Sequence, residues 1–394
     1  MATSDFYIED NSNIENKKLE AAKGLYLSGN YQGALKLYLD MINMSVSYKL
    51  YYEIGRCYYK MLDFINAELY FKRSIELENY KNPSYVFLGN IYFRQENVQK
   101  ALEYWMTSFS YRPDDEAVCL NLATSYFSKG MKFQSMLYYT KYLKYAKNKQ
   151  SSHYLDIKKT VDEFIKIGND FYQKALRAVS MKDNATAIQA LEYGLRNYPI
   201  NFDANYLLGK IFYEEKKYMQ ALIYLKQAYC IDNRSLDVLE KLSTVYAKLG
   251  DFTSSYCALK RMLPLVISNQ KEYLEIMQTA RQLENSFDMY SADGHKEWGQ
   301  KYFDDNNYHF ALFEYENSVI IDNKLSFDLD KILEKLRMFI NPEDRIVKSC
   351  FERGGAAYSN GDYRQSNKYF TKIMILSKED SADYKFARSR IVNV

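Results

Sequence analysis

The chain has 394 residues, with 53 Lys and Arg against 50 Asp and Glu, for a formal net charge of +3. So close a balance argues against a phosphate-neutralising nucleic-acid binder, which needs a strongly basic face. The five cysteines form no C-x-x-C pair, and neither a signal-type start nor an apolar stretch of membrane length occurs. These features predict a reduced, cytoplasmic chain without membrane insertion.

Small residues recur in pairs 12 apart: Ala22/Ala34, Gly55/Ala67, Gly89/Ala101, Ala123/Ser135, Ala175/Ala187, Gly209/Ala221, Ser243/Ser255, Gly299/Ala311 and Gly354/Ser366. The first members are separated by 33, 34, 34, 52, 34, 34, 56 and 55 residues. A 34-residue period predicts an array of helix pairs, each crossing closely where its small residues meet. Aromatic or large apolar residues follow at fixed offsets, as in Tyr58, Tyr92 and Tyr126 on the first helix and Phe71, Trp105 and Tyr139 on the second. Turn signals such as Gly29-Asn30, Gly130, Gly250-Asp251 and Gly361-Asp362 separate the two helices of a pair.

In chain order, four pairs are expected over about 14–149. The first long interval predicts one long helix from Ser152 to Met181, capped at Ser151 or Ser152. Three pairs follow over 168–267. A second inserted segment starts near Ser268 and is expected to break at Ser291-Ala292-Asp293-Gly294. Spaced pairs are expected at 292–325 and 347–380. Between them lies a separate helix from Ser326 to Phe339, ended by Asn341-Pro342, with Pro342 opening the next helix. A capping helix from Ala382 to Ile391 should cover the last apolar face. The expected divisions are 1–149, 150–270 and 271–394.

The stretch Tyr85–Pro113 is the fullest repeat. It resembles the tetratricopeptide repeat family, with Tyr85, Leu88, Gly89, Tyr92, Ala101, Trp105 and Pro113 on the family's positions 4, 7, 8, 11, 20, 24 and 32. The resemblance implies an all-α, right-handed superhelical solenoid with the first helix of each pair lining a concave groove. It also implies inward positions, which here hold Lys23 and Tyr26, then Lys49, Tyr52, Arg56, Tyr59 and Lys60, then Asn90, Phe93 and Arg94. That set is basic and aromatic and contains no acid. It suits a protein or peptide ligand with acidic or aromatic side chains. The Lys-x-x-x-Asn clamp that some members use for a terminal carboxylate is missing. In repeats six to eight the corresponding positions are mixed and more acidic: Asp203, Lys210, Glu214, Asp237, Glu240, Lys248, Asp293, Lys296 and Asp304.

No catalytic, cofactor or metal signature is present. His153, His295 and His309 lie at no metal-binding spacing, and His295 falls on a packing position. Gly354-Gly355 reads as close packing within a helix. The expected function is a non-catalytic interaction scaffold or adaptor. The alternatives are a peptide-responsive regulatory solenoid without its own DNA-binding domain and, more remotely, a helical-repeat RNA binder. Enzymatic function has the least support.

Overall fold

The computed structural model describes residues 4–43, 45–284, 288, 291–340, 342–377 and 381–392, with side chains described from residue 16 onward except at 284, 344 and 345. Among the described residues there are twenty-one α-helices and no strand. The chain forms two compact units, Met1–Pro113 and Asp114–Val394.

The first unit holds three helix pairs: α1 (Ser4–Leu27) with α2 (Tyr31–Ile42), α3 (Tyr48–Lys60) with α4 (Phe64–Leu77), and α5 (Ser84–Arg94) with α6 (Val98–Tyr111). The second begins with α7 (Glu116–Ser128) and α8 (Lys132–Tyr145). The long α9 (Ser152–Ser180) then pairs with α10 (Asn184–Asn197), α11 (Phe202–Glu214) with α12 (Tyr218–Ile231), and α13 (Leu236–Lys248) with α14 (Phe252–Met262). After α15 (Gln270–Glu284) come α16 (Ser291–Asp304) and α17 (Tyr308–Ile321), α18 (Leu325–Ile340), α19 (Pro342–Ser359) with α20 (Tyr363–Leu376), and α21 (Ala382–Ser389). The long helix, capped by Ser151, the separate α18 and the closing α21 all appear as expected. Ser291-Ala292-Asp293-Gly294 is not a break but the first turn of α16. Asn341 lies outside the described residues.

The turn inside each pair follows one rule. The residue seven after the first small residue has positive φ in all nine: Gly29, Leu62, Glu96, Gly130, Lys182, Lys216, Gly250, Asn306 and Gly361. The next residue caps the second helix. Asn30, Asp63, Asn97, Asp183, Asp251 and Asp362 each accept a backbone N–H three residues on. A left-handed residue followed by a side-chain cap reverses the chain in the fewest residues.

The small residues make room chiefly for a side chain. A Cβ added at Gly55 would lie 2.8 Å from the Phe71 ring, at Gly89 2.4 Å from Trp105, and at Gly299 2.9 Å from Tyr315. Where the second small residue is serine, its hydroxyl ties the crossing. Ser135 Oγ donates to the Ala123 carbonyl at 2.9 Å, Ser255 Oγ to Ser243 at 2.9 Å, and Ser366 Oγ to Gly354 at 3.1 Å. A second aromatic position stacks within the pair: Tyr58 on Tyr70, Tyr92 on Tyr104, Tyr126 on Tyr138 and Phe212 on Tyr224, with centroids 5.3–5.7 Å apart.

The expected boundary at 149/150 falls inside the second unit, whose last repeats return to its first. Tyr126 Oη donates to the Asn306 carbonyl at 3.2 Å, Gln134 Nε2 to Asn307 Oδ1 at 2.9 Å, and Lys144 Nζ to the Leu376 carbonyl at 3.1 Å. Lys141 pairs with Glu343, and Lys372 with Asp114. These links tie α7 and α8 to α17, α19 and α20.

Candidate functional site

The face expected to bind a peptide lies on α1, α3 and α5 of the first unit. The positions that the family resemblance implies are inward hold Lys23 and Tyr26, then Tyr52, Arg56, Tyr59 and Lys60, then Asn90, Phe93 and Arg94, on successive first helices. Arg56 bridges the first two, its guanidinium 4.2 Å from the Tyr26 centroid and 5.6 Å from that of Tyr52. Tyr52 and Tyr59 both meet Phe87 edge-on, at 5.8 and 5.2 Å. Arg94 sits 5.6 Å from the Phe64 ring, and Phe93 lies 5.5 Å from Trp105. Asn90 is committed to the fold, since its Oδ1 accepts from Trp105 Nε1 at 3.1 Å.

The electrostatics differ from the expected acid-free set. Glu53 pairs with Arg56 at 2.8 Å, and Glu20 pairs with Lys23 at 2.8 Å. Both acids sit one helical turn before the cation and so share its face. Burial raises the pKa of the Glu53 carboxyl, with Arg56 and Lys23 acting to lower it. Arg56 is thus a stacked, paired cation rather than a free one. Lys60 and Arg94 are exposed and have no ion pair among the described residues. Burial pushes the Tyr52 hydroxyl up to about 12 and raises Tyr26, so both remain neutral donors near pH 7.

In the second unit the first-helix residues Asp203, Glu214, Asp237, Glu240, Lys248, Asp293 and Asp304 are exposed. The second unit also carries a polar cluster that no sequence spacing marks. α17 is buried on nearly every side and carries Glu314. The Glu314 carboxylate bonds Lys226 of α12 at 2.8 Å and His295 Nδ1 of α16 at 2.6 Å. Arg261 of α14 donates to the Phe313 carbonyl at 2.9 Å and also to Asn317 Oδ1. Burial raises the Glu314 pKa, but the His295 hydrogen bond and the Lys226 charge outweigh it, leaving the carboxyl below its ordinary value. His309, buried on the same helix, is pushed down to about 4 by desolvation and is neutral at pH 7.

Among the described residues, no group of His, Cys, Asp and Glu is placed to hold a metal ion, and no helix is long and apolar enough to cross a membrane. All five cysteines are free; burial pushes the Cys57, Cys230 and Cys257 thiols up to about 12.

Tetratricopeptide repeat family models match residues 48–80, 83–115 and 172–237. The chain therefore carries tetratricopeptide repeats and resembles that family, an architecture consistent with a protein–protein interaction scaffold. Among curated proteins none matches significantly. Similar solved structures include the P58(IPK) TPR domain, at 16% identity over 95% of this chain and 97% of that one, with a TM-score of 0.30. A tetratricopeptide repeat protein from Parabacteroides merdae shares 10% identity over 68% and 98%, with a TM-score of 0.33. The TPR2AB domain of yeast Sti1, in complex with pHSP90, shares 12% over 69% and 99%, with a TM-score of 0.28.

Proposed function

We propose that this protein is a non-catalytic scaffold whose first unit binds an extended peptide segment across α1, α3 and α5. The observation carrying this reading is the pair of exposed cations, Lys60 and Arg94, with Arg94 5.6 Å from the Phe64 ring that Tyr59 meets edge-on. Such a face suits a segment that alternates acidic and aromatic side chains: Arg94 meets a carboxylate in fork geometry, Lys60 acts as a point charge, and the rings take apolar groups. Arg56 keeps Tyr26 and Tyr52 in place and shapes the floor.

The test is fluorescence anisotropy with the intact chain and labelled peptides of alternating Glu and Phe, against peptides with Lys for Glu. The Lys60→Glu/Arg94→Glu double variant should lose the acidic peptide while keeping its helical content. Loss of one charge-assisted contact corresponds to roughly 10- to 150-fold in affinity. Equal binding of both peptides, or unchanged binding by the double variant at every salt concentration, would overturn the proposal.

A further inference from the structure

The ring four residues after the second small residue is sealed in most repeats: Tyr38, Phe71, Trp105, Tyr315 and Phe370 are each no more than 2% exposed. Repeat four differs. Its equivalent, Tyr139, is only partly covered, although it packs in one apolar cluster with Ile157, Val161 and Phe164 of α9. Beside it is a cleft of about 450 Å³ lined mainly by α8 and α9, with Phe127 of α7 and Arg196 and Asn197 at the end of α10 also in its lining. Met136, Tyr139, Ile157, Val161 and Phe164 make its walls apolar. The charged lining residues are Lys132, Arg196 and Asp156, a net charge of +1 (two cations, one anion). Lys132 and Arg196 are exposed and have no ion pair among the described residues. An apolar, partly enclosed cavity of this size with a few charged groups in its lining has the character of a small-molecule site.

We propose that this cleft binds a small amphiphilic carboxylate, with its apolar chain against the α8 and α9 walls and its head group held by Lys132 and Arg196. Apolar area removed from water supplies the attraction, and the two cations select the sign of the head group. The site lies wholly in the second unit and is independent of the peptide face.

The intact chain is titrated calorimetrically with dodecanoate below its micelle concentration, with dodecanol and dodecylammonium as controls. Saturable one-to-one binding of dodecanoate is expected, roughly tenfold or more tighter than either control. Thr160→Phe, at an exposed position on the cleft wall, should abolish it while circular dichroism shows an unchanged fold. Arg196→Glu should weaken dodecanoate binding by roughly tenfold or more, and Asp156→Asn should strengthen it. The proposal is overturned if no saturable binding occurs, if dodecylammonium binds as well as dodecanoate, or if Thr160→Phe binds like the wild type.

Discussion

Replacing Gly89 by alanine tests the packing rule most directly. An ideal Cβ there would lie 2.4 Å from both Cδ1 and Nε1 of Trp105, a distance real Cβ contacts do not reach. The indole must move, yet it is 2% exposed, and its Nε1 donates to the Val86 carbonyl at 3.3 Å and to Asn90 at 3.1 Å. Overpacking costs about 1–3 kcal/mol, and losing hydrogen bonding adds about 1 kcal/mol. Alanine's better helix propensity returns about 1 kcal/mol. The expected net effect of Gly89→Ala is a destabilisation of about 1–3 kcal/mol. Gly24, in the exposed interior of α1, has no heavy atom within 4 Å of its added Cβ, so there the propensity term stands alone. Gly24→Ala should therefore stabilise by up to about 1 kcal/mol. Both are read by urea unfolding, with circular dichroism and with tryptophan emission in a Trp298→Phe background, so that Trp105 alone reports. A Gly89→Ala midpoint at or above that of the parent would refute the argument.

Leu62→Gly, Lys182→Gly and Lys216→Gly should each stabilise by about 1 kcal/mol. All three hold φ near +60° at exposed turn positions, and an unfolding midpoint that falls in all of them would contradict the turn rule. Glu314→Gln should cost about 3 kcal/mol at pH 7, because it leaves Lys226 and His295 beside a neutral group; thermal unfolding measures it. The pH dependence follows from the lowered carboxyl pKa. The contribution of Glu314 is present above the unfolded value of about 4.3 and is lost as pH falls through the folded one. The gap between wild type and Glu314→Gln should therefore narrow as pH falls below about 4; a constant gap from pH 7 to pH 3 would count against the ion pair.

Short-range interactions left a readable trace in the chain, and long-range ones did not. Helix pairing, the nine crossings and the inserted helices are local consequences of the 12-residue and 34-residue spacings, because small residues, caps and turns act within one repeat. Glycine marked only four of the nine left-handed turn positions; Leu62, Glu96, Lys182, Lys216 and Asn306 adopt the same conformation because the helix pair imposes it. The candidate peptide face was only partly legible. Its residues are those the family resemblance implies, but the pairing of Arg56 with Glu53 and the capture of Asn90 by Trp105 depend on rotamers chosen by packing. α17 carried a readable signal: its segment YHFALFEYENSVII is apolar almost all round, as a fully buried helix is. What buries it could not be read. Glu314 occupies the slot that Tyr70, Tyr104, Tyr138 and Tyr224 fill in other repeats, and its partner Lys226 lies 88 residues away. The repeating unit is legible in the chain alone, since each unit is specified by contacts within about 34 residues. The closing of the second unit from α7 and α8 onto α17, α19 and α20 emerges only from long-range packing. That closure sums small rotations over many repeats and is held by pairs with no periodic signature.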